Sequence, residues 1–412
     1  MGFAAKCPTP PDRLALLPTA QRSTTTIHIC NRSDNHGGPC PGATSIGEVG
    51  PTVGESVEVA LASSNLPKPA YAHEHEFTPA SSSEARRMSG RVLVTGGAGY
   101  VGFPLCQALL ASGRDVRVLD RLLHDQRAIA SALEDAGVEL VRADLRDPAA
   151  RREALADVDA VVHLAAIVGD PACALDPQES DAVNVEGSRA LIDDARAAGV
   201  RRFVFASTCS NYGRMTDPTV PIDETGELAP VSLYARQKVS VEQALLSAAT
   251  TEFLPTCLRL ATVYGVAPRM RFDLTVNEFT RDLWAGRRLE VFGEQFWRPY
   301  VHVRDVGGAV SLVLDAPEAL VAGEVFNVGR TDQNFRKLDL VEIAQARLPG
   351  GEVVFVERKD DPRDYKVNFD KIRDALGFEL TMTVPEGIDE LATELEAGRF
   401  ADPFGREYRN IP

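Results

Sequence analysis

Residues 91–102 read Arg-Val-Leu-Val-Thr-Gly-Gly-Ala-Gly-Tyr-Val-Gly, a short β-branched run that leads directly into a cluster of glycines. A helical pattern follows, and then a second apolar run that ends at Asp120. At a strand–turn–helix junction, Gly96 permits a tight turn, Gly99 lets backbone N–H groups approach a pyrophosphate, and Gly102 lets the helix and strand pack closely. The order of strand, glycines, helix, strand and acid within about 30 residues predicts a dinucleotide-binding unit.

The acid at the tip of the second strand bears on which dinucleotide is bound. Asp120 is placed to accept hydrogen bonds from the ribose hydroxyls of an adenosine. The same carboxylate would repel a 2′-phosphate, which favours NAD over NADP as the cofactor. The neighbouring Arg121 keeps NADP open as the alternative, because a guanidinium can hold a phosphate.

The alternation of strands and helices continues along the chain. Further strands are predicted at residues 138–144, 160–166, 202–207 and 256–261. Strands separated by helical stretches predict an α/β fold with a doubly wound parallel sheet, the Rossmann arrangement. His163 lies within one of these strands and is expected to be a hydrogen-bonded core histidine rather than a catalyst.

The domain organisation follows from the same pattern. Residues 88–262 are predicted to form the nucleotide-binding domain, with residues 300–330 returning to it. Residues 263–412 are predicted to form mainly a smaller C-terminal substrate-binding lobe, and their last stretch, 401–412, is expected to be a loose end.

The first 87 residues differ in composition from the rest of the chain. They carry 10 of the 26 Pro residues and 17 Ser or Thr residues, and no helical or strand period is sustained. Such a segment buries too little apolar surface to offset chain entropy, so residues 1–87 are predicted to be a mostly disordered extension. Four possible zinc ligands lie within it, but their spacing fits no common zinc motif, and no metal site is expected. These residues are His28, Cys30, His36 and Cys40.

The overall charge and composition argue against several classes of partner. Lys and Arg number 44 against 59 Asp and Glu, which gives a net charge of −15. An acidic body argues against general nucleic-acid binding, which needs basic surface. No apolar run approaches the roughly 20 residues that span a bilayer, so no membrane partner is expected. The seven cysteines show no paired spacing, which favours a reducing, cytoplasmic setting.

A second group of residues is typical of acid–base chemistry. Thr208 follows the predicted strand 202–207, and Tyr234 and Lys238 lie one turn apart on the same side of a predicted helix. A free tyrosine has a pKa of about 10, so a base at neutral pH needs about 4 kcal/mol of phenolate stabilisation. A nearby ammonium and a positively charged nicotinamide ring are expected to lower the pKa of Tyr234 in this way. Thr208 would hydrogen-bond the reacting hydroxyl or carbonyl.

Together these residues resemble the extended branch of the short-chain dehydrogenase/reductase superfamily, which contains NAD-dependent nucleotide-sugar epimerases and dehydratases, including UDP-glucose 4-epimerase-like members. The resemblance covers about residues 90–380 and is highly specific for the superfamily, though less so for the substrate. It rests on segments 95–102, Asp120, 163–166, 184–187, 207–213, 234–238, 259–265, 298–305 and 326–329.

The resemblance implies a role for each matching residue. Tyr234 would be the acid–base group with Thr208 as its partner, and Lys238 would also bind the nicotinamide ribose. Asn184 would support the site through hydrogen bonds. The remaining NAD contacts would be Tyr100 and Val101 at the pyrophosphate, Asp144 and Leu145 at the adenine, and Leu164, Ala165 and Ala166 along the dinucleotide.

The same resemblance implies a nucleotide-sugar substrate. Asn277 lies where such members hold the pyrophosphate of that substrate. Arg298, Arg358 and Asp361 match positions that hold the nucleotide diphosphate and its ribose. The alternative for the two arginines is that they are solvated surface residues. The family also implies a homodimer, formed through the catalytic helix and the helix near 181–198.

Departures from the family patterns bear on the reaction. Family 4,6-dehydratases carry Asp-Glu directly after the catalytic Thr, and UDP-glucuronate decarboxylases usually carry Glu at the second position, whereas this chain has Cys209 and Ser210. Thr262 stands where the 4-epimerases commonly have Asn. The predicted function is therefore NAD-dependent epimerisation of a nucleotide-activated sugar through a transient ketosugar. The alternatives are a ketosugar reductase or dehydrogenase, a dehydratase, and a non-catalytic NAD(H)-binding sensor.

Two further stretches stand out without an assigned role. They read Val-Gly-Asp-Pro-Ala-Cys at 168–173 and Pro-Arg-Met-Arg-Phe-Asp at 268–273. Both look like stretches of a subgroup of epimerase-like proteins. Cys209 is expected to be a buried structural thiol, with a reactive thiol as the alternative.

Overall fold

The computed structural model describes most of the chain after residue 89. The described residues are 90–124, 126–215, 217, 219–357 and 363–410. The predictions for residues 1–87, including the four zinc candidates, lie outside these ranges, as do the roles predicted for Arg358 and Asp361. Within the described ranges no helix is long and apolar enough to cross a membrane.

Strands and helices alternate along most of the described chain. The strands are β1 (Arg91–Thr95), β2 (Asp115–Asp120), β3 (Glu139–Arg142), β4 (Val158–His163), β5 (Arg202–Thr208), β6 (Leu254–Leu260), β7 (Thr262–Tyr264), β8 (Leu289–Val291), β9 (Trp297–His302), β10 (Glu324–Val328), β11 (Asn334–Arg336) and β12 (Val353–Phe355). The α-helices are α1 (Gly102–Ala111), α2 (Arg127–Asp135), α3 (Pro148–Ala154), α4 (Asp170–Leu175), α5 (Pro177–Asp181), α6 (Ser188–Ala197), α7 (Leu233–Ser247), α8 (Thr275–Trp284), α9 (Val303–Asp315), α10 (Glu318–Val321), α11 (Lys337–Arg347), α12 (Asp370–Leu376) and α13 (Val384–Glu396).

The main sheet is parallel, with seven strands in the order β3-β2-β1-β4-β5-β6-β10. Parallel neighbours need crossover connections, and these lay helices on the sheet faces. The strand order reverses between β1 and β4, which is the doubly wound Rossmann arrangement and confirms the predicted fold class. The carboxyl ends of the strands at such a reversal form a crevice, so a ligand site is expected beyond β1 and β4.

Alternate residues of each strand pack on opposite faces of this sheet. Val92 and Val94 of β1 belong to a core formed with α1 and α9, while Leu93 between them belongs to a core formed with α3, α6 and α7. All three side chains are buried. Because both faces are covered, the strand reads as a continuous apolar run rather than an alternating one.

A smaller set of elements follows β6 in the sequence. Strand β9 pairs in parallel with β7 and antiparallel with β11, and β8 pairs in parallel with β12. Their core contains Tyr264, Phe279, Tyr300, Leu340 and Ile388, contributed by β7, α8, β9, α11 and α13. This core holds the segments that follow β7 against the end of the main sheet.

The strand predicted at 160–166 is shorter than expected. Strand β4 ends at His163, and residues 164–166 form a loop with partly exposed side chains. Both ladders of β4 end at His163, which pairs with Thr95 of β1 and with Phe205 of β5. The apolar composition of 164–166 reflects their position on a cavity wall rather than in the sheet.

The C-terminal stretch is not a loose end over residues 401–410. The rings of Phe400 and Tyr408 pack edge-on against Phe272 and against each other, with centroids 5.1 to 5.7 Å apart. The backbone N–H of Phe272 also donates to the carbonyl of Tyr408 at 2.9 Å. The expectation was wrong because the partners of this stretch lie far away in the sequence, and its own pattern has no regular period.

Candidate active site

A cavity of about 730 Å³ lies at the carboxyl ends of β1, β4 and β5, where the strand order places a ligand site. Most residues that the sequence singles out line it, whereas Asn184 and Asn277 do not. The lining residues among the predicted ones are Gly96, Gly99, Tyr100, Val101, Gly102, Asp120, Asp144, Leu145, Leu164, Ala165, Ala166, Thr208, Tyr234, Lys238 and Arg298.

The glycine loop between β1 and α1 leaves room for a ligand where side chains would otherwise stand. Gly96 has a φ of +75°, and a Cβ there would lie 2.8 Å from the backbone nitrogen of Ala165. A Cβ on Gly102 would lie 2.2 Å from the carbonyl oxygen of Gly96. A Cβ on Gly99 would meet only that same oxygen, at 3.0 Å, on a residue that lines the cavity. The loop therefore fits the pyrophosphate of a dinucleotide at the start of α1.

Asp120, at the end of β2, is held by backbone donors on the cavity wall. One carboxylate oxygen accepts from the N–H of Ala98 at 3.0 Å, and the other accepts from the N–H of Leu122 at 2.8 Å. Burial raises the pKa of Asp120, and these two hydrogen bonds oppose that shift. Each oxygen keeps a second lone pair, so the carboxylate can accept from a pair of ribose hydroxyls.

Asp144 is already engaged by two arginines. Arg146 donates to it from its backbone N–H at 2.8 Å and from its guanidinium at 2.9 and 3.0 Å, and Arg121 donates at 3.1 Å. Arg146 holds the pKa of Asp144 well below its usual range. Arg121 also contacts Glu179 at 3.2 Å. Arg121, the residue that made NADP an alternative cofactor, thus pairs with two carboxylates, which argues against its binding a 2′-phosphate.

Tyr234 and Lys238 lie on α7, which begins at Leu233 after the Ser232 hydroxyl accepts from the N–H of Ala235. The Nζ of Lys238 donates to the carbonyl of Ala206 at 2.7 Å, and it lies 5.8 Å from the centroid of the Tyr234 ring. Both side chains line the cavity that holds the glycine loop. The structure therefore brings the two predicted acid–base residues together with the glycine loop.

The electrostatics of this pair differ from the expectation. Burial lowers the pKa of Lys238 to about 8, so the amine is still mostly protonated at neutral pH. Burial raises the pKa of Tyr234 above its ordinary value, with Arg271 opposing that shift. The ammonium alone does not overcome the burial of the phenol. Lowering its pKa therefore depends on additional positive charge in the cavity.

The turn after β5 presents hydroxyl groups to the same space. The Oγ1 of Thr208 accepts from the N–H of Ser210 at 3.1 Å, which leaves its own hydrogen available for donation. Ser210 lies 3.2 Å from the hydroxyl of Tyr365, and Arg363 forms an ion pair with Asp170 at 3.0 Å. All five line the cavity. The sequence reasoning missed Asp170, Arg363 and Tyr365, and only the unassigned stretch 168–173 pointed toward the first.

A buried charged network lies behind the catalytic helix. Glu242, one turn after Lys238, pairs with Arg259 of β6 at 2.5 Å and accepts from the hydroxyl of Ser207 at 2.6 Å. It joins α7 to β5 and β6, so it fixes the relative positions of the elements that carry the predicted acid–base residues. Cys209 is buried beside it, with Sγ 3.1 Å from the carbonyl of Arg259, and burial raises its thiol pKa. A structural thiol is thus the better reading of Cys209.

Two predicted residues act from behind the cavity wall. His163 lies between the hydroxyls of Thr95 at 2.7 Å and Ser188 at 2.8 Å, and burial lowers its pKa to about 3. It is the neutral core histidine that the sequence indicates. The amide of Asn184 accepts from the N–H of Ile167 at 2.7 Å and donates to its carbonyl at 2.9 Å. It thereby fixes the loop that follows 164–166.

The predicted substrate contacts divide into two groups. Asn277 is buried and uses its amide inside the protein: it accepts from the N–H of Gly265 and donates to Tyr100 and to the carbonyl of Arg271. Arg298 lines the cavity with its guanidinium 5.1 Å from the Tyr365 ring centroid. Arg298 is only 6% exposed, which excludes the alternative of a solvated surface residue.

Comparisons with known proteins agree with this geometry. Residues 92–329 match the model of the NAD dependent epimerase/dehydratase family. A UDP-glucose 4-epimerase from Rhizobium meliloti (strain 1021) is 30% identical over 318 residues, which cover 71% of this chain and 92% of that protein.

Two solved structures share the fold over three quarters of this chain. A Thermotoga maritima UDP-glucose 4-epimerase with UDP-glucose has a TM-score of 0.68 and 26% identity, with 75% of this chain and all of that chain covered. A dTDP-glucose 4,6-dehydratase from Streptomyces venezuelae, with NAD and TYD bound, has a TM-score of 0.66 and 27% identity over 75% of this chain and 98% of that one.

Proposed function

This chain belongs to the NAD-dependent epimerase/dehydratase family, and from that membership we propose that it inverts one ring carbon of a nucleotide-activated sugar through a transient ketosugar. The observation that carries the proposal is the shared cavity, in which Thr208, Tyr234 and Lys238 face the same space as the glycine loop. The relatives named above supply the substrate class, since UDP-glucose is bound or acted on by two of them.

The chemistry follows from the three side chains. NAD, when bound, supplies a hydride acceptor that later returns the hydride. The Tyr234 phenolate removes the proton from the sugar hydroxyl, and the carbon–hydrogen electron pair leaves that carbon as hydride. The Lys238 ammonium stabilises the phenolate, and Thr208 donates a hydrogen bond to the oxygen that becomes a carbonyl. Rotation of the ketosugar within the cavity would present its other face, and return of the proton from Tyr234 would restore the hydroxyl, so that the overall change would be an isomerisation without net oxidation.

The side chains after Thr208 favour epimerisation over dehydration. Elimination of water needs a second acid–base pair beside the sugar. The two positions after Thr208 hold Cys209, which is buried against a backbone carbonyl, and Ser210, which lies beside Tyr365. Neither side chain is a carboxylate, so neither provides that second pair. A ketosugar reductase remains the alternative, because the same three side chains would serve it equally well.

Other expectations from the family are carried forward as part of this proposal. Arg298 is placed to hold the diphosphate of the sugar nucleotide, and the roles of Arg358 and Asp361 remain predictions. Helices α6 and α7 are proposed to form the contact of a homodimer, which sedimentation of the purified chain would test.

Incubation with UDP-, dTDP-, GDP- and CDP-sugars tests the reaction. We expect NMR to show a new stereoisomer of one sugar, while absorbance at the NADH band shows no net cofactor reduction. Sustained NADH consumption or production would identify a reductase or dehydrogenase instead. A new methyl signal at the sugar C6 would identify a dehydratase. NAD binding without turnover of any sugar would favour a non-catalytic NAD(H)-binding sensor and would contradict the proposed enzymatic function.

A further inference from the structure

Two arginines of the unassigned stretch 268–273 line the cavity while being almost fully buried. Arg269 is 6% exposed and Arg271 is 8% exposed. Arg271 forms a bidentate ion pair with Asp273, at 3.0 and 2.8 Å. Arg269 pairs with no carboxylate among the described residues: its Nη2 donates to the carbonyl of Arg409 at 3.2 Å, and its Nε has no hydrogen-bond partner there.

An arrangement of this kind is costly in the free protein. A buried guanidinium that pairs with no carboxylate loses hydration that a single backbone carbonyl only partly restores. Burial, followed by the charge of Arg271, lowers the pKa of Arg269 to about 10. The guanidinium therefore stays charged at neutral pH, and an anion in the cavity would supply both a directly paired counter-charge and the acceptor that Nε lacks.

Two other buried arginines in the described part of the chain also have an Nε without a hydrogen-bond partner, and they show why Arg269 differs. Arg117 donates from Nη1 to the carbonyls of Glu153, Ala154 and Ala156, and Arg202 donates to the carbonyls of Val313 and Ala316. Neither lines the cavity. Their guanidinium groups close off helix ends, which is a structural role, whereas that of Arg269 borders open space.

The loop that carries Arg269 is tied to the glycine loop. Tyr100, at the start of α1, donates from its hydroxyl to the carbonyl of Gly265 at 2.7 Å. Asn277 donates to that hydroxyl at 3.1 Å and to the carbonyl of Arg271 at 2.9 Å. These hydrogen bonds hold segment 265–273 beside the place where the glycine loop exposes its backbone N–H groups. The charge of Arg269 also acts on Asp120, on the adenosine side of that place.

We propose that Arg269 binds the diphosphate of the dinucleotide cofactor, with the Asp273-oriented Arg271 as a second cation beside it. The glycine loop then supplies backbone donors from one side and segment 265–273 supplies charge from another. This inference concerns how the cofactor is held and not which reaction follows, so a chain without epimerase activity would pass or fail its test in the same way.

Isothermal titration of the full chain, freed of bound nucleotide, tests the assignment with four probes: ADP-ribose, adenosine, 2′-AMP and UDP. We expect Arg269→Gln to weaken ADP-ribose binding about tenfold or more, because a charge-assisted hydrogen bond is lost. Adenosine and UDP binding should change less than about twofold, since neither places a cofactor diphosphate there. Arg269→Lys should recover part of the loss. Arg152→Gln, at an exposed position on α3, is the matched control and should change nothing.

Four outcomes would overturn the proposal. Equal losses for adenosine and ADP-ribose would mean that Arg269 only supports the fold of the site. A loss confined to 2′-AMP would place the phosphate on the ribose, and a loss confined to UDP would place it in the sugar nucleotide. No change with any probe would leave the buried charge without a ligand. Thermal unfolding of each variant without nucleotide separates these results from a chain that fails to fold.

Discussion

The two sides of the cavity are built in different ways. The strand-end wall consists of residues 96–102, residues 206–208 and the first turns of α7, all placed by one parallel sheet. The loop wall consists of segment 265–273 and the stretch 400–410 that packs behind it and reaches the cavity at Asn410; the two meet only through tertiary contacts. The proposed acid–base residues lie on the first wall, where the hydrogen bonds of the sheet and of α7 fix the backbone. The second wall supplies charge and cover from long side chains.

The burial of polar groups in the strand-end wall lowers the stability of the free protein. Lys238 is buried with one backbone acceptor, and Tyr234 is partly buried with no positive partner strong enough to lower its pKa in the free protein. The loop wall carries a similar cost in Arg269. Both walls therefore hold charge that suits a bound dinucleotide better than it suits the free chain.

The largest effect should come from removing one oxygen of the strand-end wall. Tyr234→Phe keeps the ring and its packing but removes the proton acceptor, so kcat for sugar turnover should fall about a thousandfold or more. Binding of NAD should change little, since the ring and Lys238 remain. NMR should show that sugar turnover has stopped, and fluorescence titration should show that NAD still binds.

Tyr408→Phe is the matched control from the loop wall, because it removes a hydroxyl from a ring with only a packing role. Its kcat should stay near that of the native chain. If Tyr234→Phe retained full turnover, the acid–base role of the strand-end wall would be wrong.

The next effect concerns the buried ammonium. The pKa of Lys238 is about 8 in the folded chain, against an ordinary lysine pKa of 10.5. Below pH 8 both states carry the proton, and the folded state bears the full cost of about 3 kcal/mol. Between pH 8 and 10.5 the unfolded chain holds a proton that the folded chain has lost, so native stability rises with pH.

Lys238→Met lacks this ammonium, so its stability relative to the native chain should fall by about 3 kcal/mol across that window. Urea unfolding of the nucleotide-free proteins at a series of pH values measures the difference. The variant also loses the hydrogen bond to Ala206, but this loss lowers the free energy of unfolding equally at every pH. It therefore does not produce a change in stability with pH. A difference that stays flat from pH 8 to 10.5 would contradict the buried-charge account.

The contrast between the walls explains what could be predicted from the sequence. Strands β1 and β2, the glycine turn and the Tyr234–Lys238 pair are set by local spacing, and the structure has them where the spacing indicates. The end of β4 could not be predicted in this way, because it depends on where the pairing with β1 and β5 stops.

The loop wall could not be predicted from the sequence, for a related physical reason. The stretch 268–273 shows no helical or strand periodicity. The roles of its two arginines depend on their burial and on the carboxylate or carbonyl to which each donates. Asn277 was assigned to substrate by resemblance, whereas its amide binds the backbone of this same loop. Side chains whose partners are remote in the sequence cannot be assigned from spacing.

The smallest effect should come from the aromatic cluster that anchors the loop wall. Tyr408→Ala removes two edge-on ring contacts, with Phe272 and Phe400, at about 1 kcal/mol each, so the free energy of unfolding should fall by about 2 kcal/mol. Hydrogen exchange should rise selectively over residues 401–410, while α7 keeps its protection because it is held by the main sheet. Tyr408→Phe, which keeps both ring contacts, should show neither change. Faster exchange in α7 as well would mean that the two walls are one cooperative unit, and the distinction between them would fail.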